Sequence, residues 1–254
     1  MEARMEPRVV AARRGWQWLV EGYSLFRKSP AMWIALTVAL AVLWVVSLVI
    51  PVLGPLLFNL LSPALFAGLM IGCRALENGK PLEITHLFAS FKQHAAPLVT
   101  VGGVYLVGTV IVVGIVLVIA GGSMLPAVLS KSGTDIETLR AAARSMALAL
   151  AVGAAVYLPL LMLIWFAPLL VVFNGLAPVM AMKLSCVACV RNMLPFLVYG
   201  AAILLLWLVL SLPAVLGFIG VLLGIALLAA SIPVLICSIY ASYQDIFAAR
   251  APIA

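Results

Sequence analysis

Residues 193–244 read MLPFLVYGAAILLLWLVLSLPAVLGFIGVLLGIALLAASIPVLICSIYASYQ, and these 52 residues include no Asp, Glu, Lys or Arg. A membrane-spanning helix needs about 20 apolar residues. The stretch is long enough for two, with a natural break at Gly217-Phe218-Ile219-Gly220. A hairpin of two such helices has nowhere to hide in a soluble fold, because small domains leave much of their surface in water.

The rest of the chain repeats this reading. Three further uncharged runs cover Ser29–Cys73, Gln93–Ser130 and Ser145–Met182. The first is long enough for two spans and breaks at Pro51-Val52-Leu53-Gly54-Pro55; the other two hold one span each. Six helices are predicted, near 32–50, 55–73, 97–120, 145–173, 195–216 and 220–243. Over all 254 residues, 66% are hydrophobic and 9% charged, against about 45–50% and 25% in soluble domains. The fold class is therefore all-α: a polytopic membrane protein, one integral domain over 1–254, with six transmembrane helices in three hairpins. Composition excludes a soluble enzyme, a disordered chain and a disulfide-rich secreted domain. The charged N-terminal region reaches Lys28, too long for a signal peptide.

Six spans put both termini on one side, and that side holds 12 of the 15 Lys and Arg residues. Basic loops stay cytoplasmic, so both termini are predicted to face the cytoplasm. The net charge of +7 is then explained by topology and not by nucleic acid.

Three times, a segment with helical apolar spacing runs into basic residues, a proline and a hairpin. In the first, Trp16, Leu19, Val20, Tyr23 and Phe26 form the stripe, and Arg27 and Lys28 precede Pro30. In the second, Ile84, Leu87, Phe88 and Phe91 precede Lys92 and Pro97; in the third, Val179, Cys186, Val190 and Met193 lie around Lys183 and Arg191, before Pro195. Proline suits a first helical turn, where its missing N–H has no partner to lose. Three units result, 8–73, 80–173 and 176–243, each a cytoplasmic amphipathic helix followed by a hairpin. Such helices lie in the membrane interface. Trp16, Trp18 and Tyr23 suit headgroup depth, and Arg13, Arg14, Arg27 and Lys28 suit anionic lipid. They either sense lipid and dock a partner, or simply anchor the bundle. Tyr240 and Tyr243, where the last span leaves the bilayer, fit an aromatic belt. Asp245 follows them as the first charge after the long run and is expected to pair with a basic residue such as Arg27 or Arg191. Thr134-Asp135-Ile136-Glu137 fits a capping box opening the fourth span, in which Pro159 and Pro168 should place kinks.

Little here could carry chemistry. No charged residue falls inside a predicted span, where one costs at least about 2.5–3.5 kcal/mol and is kept mainly for function. Asn59 is the most polar residue within a span and is expected to bond a neighbouring helix. Ala64, Gly68 and Gly72, and again Gly220 and Gly224, recur every fourth residue, the spacing that lets helices approach closely. Cys186-Val187-Ala188-Cys189 lacks the second ligand pair a metal site wants. Packing is the better reading, so no cofactor, metal or catalytic residue is expected.

Gly15-Trp16-Gln17-Trp18-Leu19 and Tyr23-Ser24-Leu25-Phe26-Arg27-Lys28-Ser29-Pro30-Ala31-Met32-Trp33 resemble the start of an uncharacterised family of proteobacterial six-helix inner-membrane proteins. Tyr240-Ala241-Ser242-Tyr243-Gln244-Asp245-Ile246-Phe247 is similar to that family's closing motif. The helix-then-hairpin pattern is distantly similar to the membrane domain beside some glycerophosphodiester phosphodiesterases, whose catalytic domain has no counterpart here. The resemblance implies location and not mechanism. The expectation is a non-enzymatic inner-membrane protein acting through the lipid bilayer, a membrane-protein partner or a homo-oligomer. The alternative is a carrier or channel for small neutral or hydrophobic solutes.

Overall fold

The computed structural model describes residues 6–129 and 136–247. The helices are α1 (Arg14–Phe26), α2 (Pro30–Ser47), α3 (Leu53–Glu77), α4 (Phe91–Leu129), α5 (Ile136–Ile164), α6 (Ala167–Asn174), α7 (Pro178–Arg191), α8 (Met193–Ser211) and α9 (Phe218–Phe247). Short 3-10 turns cover Ile84–Phe88 and Leu212–Leu216. No strand occurs among the described residues. Among the described residues, six segments are long and apolar enough to cross a bilayer: Pro30–Ser47, Leu53–Glu77, Phe91–Gly121, Arg140–Asn174, Met193–Leu216 and Phe218–Phe247. The protein is an all-α polytopic membrane protein. Thr134 and Asp135 of the expected capping box lie outside the described residues.

Each hairpin follows a segment on the terminus-bearing face: α1 before α2–α3, the turn Ile84–Phe88 before α4–α5, and α7 before α8–α9. The second of these is a single 3-10 turn and not an amphipathic helix. Its Glu83 and His86 cap it reciprocally, with the Glu83 N–H donating to His86 Nδ1 at 3.0 Å. The α4 helix is itself bent at His94 (φ −127°, ψ 19°), three residues ahead of Pro97.

The fourth span is broken and not merely kinked. Pro159 lies within α5, whereas Pro168 opens α6 after a gap at Trp165 and Phe166. A break inside a membrane leaves backbone groups without water to bond them. Ser185 of α7 supplies both partners: it accepts from the Phe166 N–H at 2.9 Å and donates to the Met162 carbonyl at 2.7 Å. Cys189, one turn on, directs its thiol at the same carbonyl at 3.8 Å. The Cys-x-x-Cys stretch thus sits in a helix that seals the break.

Burial is concentrated at the terminus-bearing ends of the spans. Trp33 and Leu36 of α2, Ala64–Leu76 of α3, Leu98 and Val101 of α4, Phe166–Val171 and Ile236–Ile246 carry most of the core. The opposite ends are dressed in exposed aliphatics, among them Val49, Val118, Val215, Leu216 and Ile219. The bundle is closed at one membrane face and splayed at the other.

The two small-residue stripes lie at opposite ends of the bundle and accommodate different neighbours. Gly68 packs on the carbonyls of His86 and Leu87, and Gly72 on Leu82, so the stripe accommodates a loop and not another span. Ala64 offers its carbonyl to the buried Ser90 hydroxyl at 2.6 Å. Gly220 packs on the Pro213 carbonyl of the preceding turn, and Gly224 faces the Leu210 carbonyl of α8 at ordinary contact distance, a helix contact of the kind expected. Asn59 does not find the helix partner expected for its oxygen: Oδ1 is buried without a hydrogen bond among the described residues.

Candidate functional site

The site is built on the terminus-bearing face, and α1 is its organising element. Two glycines on one side of α1 let it lie directly on backbone. Gly15 abuts Pro195 and Tyr199 of α8, and Gly22 abuts Val234 and Ser238 of α9; at either position a Cβ would collide with main-chain atoms. Gly15, Trp18, Leu19 and Gly22 form the buried face. The α1 helix is thus a strap across α8 and α9, and its far end reaches α3, where Lys28 Nζ donates to the Leu76 carbonyl at 3.2 Å. A cation at a helix C-terminus satisfies orphan carbonyls and the dipole together.

This placement corrects the interfacial role expected for Trp18. It is fully buried, packed on Phe196 and Tyr199, and donates its indole N–H to Asp245 at 3.0 Å. Asp245 also accepts from Arg14 Nε at 2.5 Å. The partner of Asp245 is therefore Arg14, and not Arg27 or Arg191. Arg27 stacks over Tyr23 with its guanidinium carbon 5.8 Å from the ring centre, and Arg191 faces Glu6 at 3.9 Å. Arg14 further bonds Gln17 and Glu21. Partial burial opposes its charge, but the Asp245 hydrogen bond and the charges of Glu21 and Asp245 outweigh this and hold its pKa above the ordinary value. Arg13 is exposed and free to meet headgroups.

Asn192, at the α7–α8 junction, was not singled out from sequence. It is fully buried and laces the N-terminal segment to the bundle: Oδ1 accepts from the Val10 N–H, and Nδ2 donates to the Arg8 carbonyl, each at 2.9 Å. Its one sequence signal is an amide between a basic residue and a membrane span.

Trp16 and Tyr23 do lie exposed, at 54% and 51%. With Leu19, Val20 and Phe26 they roof an apolar groove of about 590 Å³ between α8 and α9, walled by Leu205, Val209, Leu227 and Val234. A second apolar cavity, about 400 Å³, lies between the hairpins against Phe58, Phe66, Tyr105, Trp165 and Ile236. The indole N–H of Trp165 is buried there without a partner among the described residues.

Tyr240 and Tyr243 do not form the expected aromatic belt. They are 2% and 4% exposed and point inward. Tyr240 donates to Glu77 Oε2 and Tyr243 to Asn174 Oδ1, each at 2.6 Å. The reason is the charged and amide groups at the ends of α3 and α6, which give each hydroxyl a better partner inside than water outside. Among the described residues no cluster of three His, Cys, Asp or Glu could hold a metal.

These features define a class: six-span integral membrane proteins closed by an N-terminal helical strap. The chain is 30% identical, over 96% of its own length and 94% of the relative's, to a probable inner membrane protein of Burkholderia thailandensis. It belongs to that family of inner-membrane proteins. No family model and no solved structure matches the chain.

Proposed function

We propose that the protein is a non-enzymatic lipid-binding protein of the inner membrane, with both termini in the cytoplasm. The observation that carries this reading is the groove beneath α1. Its lining is almost wholly aliphatic and aromatic, its roof is the aromatic face of the strap, and it lies between spans that face the bilayer. An empty apolar groove in a membrane loses the dispersion contacts that a chain of methylenes supplies. Exposed Arg13 and Arg27, flanking α1, suit anionic headgroups. The excess of basic residues on the terminus-bearing side supports the orientation. Binding a membrane-protein partner or a second copy is the competing outcome.

The test is native mass spectrometry of the protein released gently from its own membrane. One lipid retained per chain, and lost when Ala230→Trp fills the groove, is expected. A chain that retains a stoichiometric protein and no lipid overturns the reading. The alternative, a carrier of small neutral or hydrophobic solutes, draws on the second cavity and the unpartnered Trp165 N–H. Flux of such a solute in liposomes, abolished by Trp165→Phe, would favour it.

A further inference from the structure

We propose that the pocket where α3, α6 and α9 end on the terminus-bearing face binds a phosphate group, carried by a lipid headgroup or by a soluble molecule. The pocket measures about 170 Å³ and is lined by Arg74, Phe173, Asn174, Tyr243, Gln244 and Phe247. That is several times the roughly 30 Å³ share of one water. Unlike the two grooves, it is walled largely by polar atoms, and its lining includes no acidic residue.

Arg74 is the principal group. Its guanidinium carbon lies 5.0 Å over the Phe173 ring, which fixes the plane of the fork while leaving its edge open. Arg74 has no carboxylate within ion-pair distance among the described residues. Its natural helical partner is Glu77, three residues on. Glu77 is drawn instead to α9, where Tyr240 and Gln244 donate to its Oε2 at 2.6 and 3.2 Å. It lines a neighbouring cleft with Glu21 and Lys28. The diversion leaves a positioned guanidinium without a counter-charge. Asn174 adds donors: its oxygen is taken by the Tyr243 hydroxyl, which leaves the amide NH₂ for a ligand. A planar five-donor fork beside an amide matches a tetrahedral oxyanion and can engage two of its oxygens at once. This inference does not rest on the apolar grooves.

The experiment uses the full chain in neutral detergent. Phosphatidylglycerol, diacylglycerol of the same chains and inorganic phosphate are titrated separately, with bound ligand read by native mass spectrometry and thermal shift. Phosphatidylglycerol should bind better than diacylglycerol, and Arg74→Gln should weaken it by roughly tenfold or more while leaving diacylglycerol unchanged. A second variant guards against a loss that comes from misfolding. Asn174→Asp keeps an acceptor for Tyr243 but sets a negative charge in the pocket, and should expel phosphate from a folded protein. Inorganic phosphate that shifts the wild-type melting temperature and not that of either variant identifies a soluble ligand; response to phosphatidylglycerol alone identifies a headgroup. Phosphatidylglycerol bound no better than diacylglycerol, with no response to inorganic phosphate, overturns the proposal, as does binding unchanged in both variants. Loss of diacylglycerol binding would count against the groove reading and leave this one standing.

Discussion

Asp245 shows how far single residues can be read. A lone carboxylate after 52 uncharged residues had to find a cation, and it does. Which cation depended on the rotation of α1, and that is set by Gly15 and Gly22 lying on backbone, a fact of three-dimensional packing with no trace in the charge pattern. Asp245→Asn removes the negative charge and one of the two oxygens of the group that accepts from a fully buried indole and a partly buried guanidinium. It should cost about 1–3 kcal/mol, the range for leaving buried donors short of a partner. Thermal unfolding in detergent checks this, and an unchanged midpoint would show the contact to be dispensable. Ser185→Ala strands the Phe166 N–H and the Met162 carbonyl inside the broken span, and should cost a similar amount, while Ser185→Thr should recover part of it. The serine itself was invisible beforehand, since nothing in one sequence says that a hydroxyl immediately before a Cys-x-x-Cys stretch faces a helix break on the far side of α6.

Elements were legible in kind but not always in orientation. The spans could be counted because charge is nearly excluded from hydrocarbon, and their predicted ends fall close to the observed ones. The α1 stripe of Trp16, Val20 and Tyr23 is a real apolar face, yet it roofs a groove; the buried face is the glycine side, which hydrophobicity alone ranks lower. Gly22→Leu should drive α1 off α9, and the measurable result is new protease cleavage between residues 14 and 26. The α2–α3 connection holds a different strain. Val52 adopts φ 65°, and the Leu53 N–H reaches the Pro51 carbonyl at 2.7 Å, a tight three-residue turn. A β-branched residue there costs on the order of 1–3 kcal/mol, and Val52 is 75% exposed, so little packing is at stake. Val52→Gly should therefore raise the unfolding midpoint.

At the scale of the molecule, the sidedness of charge gave a topology, and the splay could not have been read at all. Span sequences are apolar on every side, so nothing in them distinguishes a residue facing a neighbour from one facing lipid. The orientation is tested with a cysteine at Ser132 in a background lacking the native four. It should react with an impermeant thiol reagent applied from outside intact cells; labelling only after lysis would invert the topology.

The strap also orders events in time. Among the described elements, α1 leaves the ribosome first, and its partners are α8 and α9, which leave last. Arg14 waits for Asp245, and the Arg8 N–H waits for the Ile246 carbonyl, 3.0 Å away in the finished fold. Until α8 is inserted nothing covers Gly15 and the Trp18 ring, and until α9 follows nothing covers Gly22. A chain stalled before residue 234 would have α8 to hold the Gly15 end of its first helix and nothing to hold the Gly22 end.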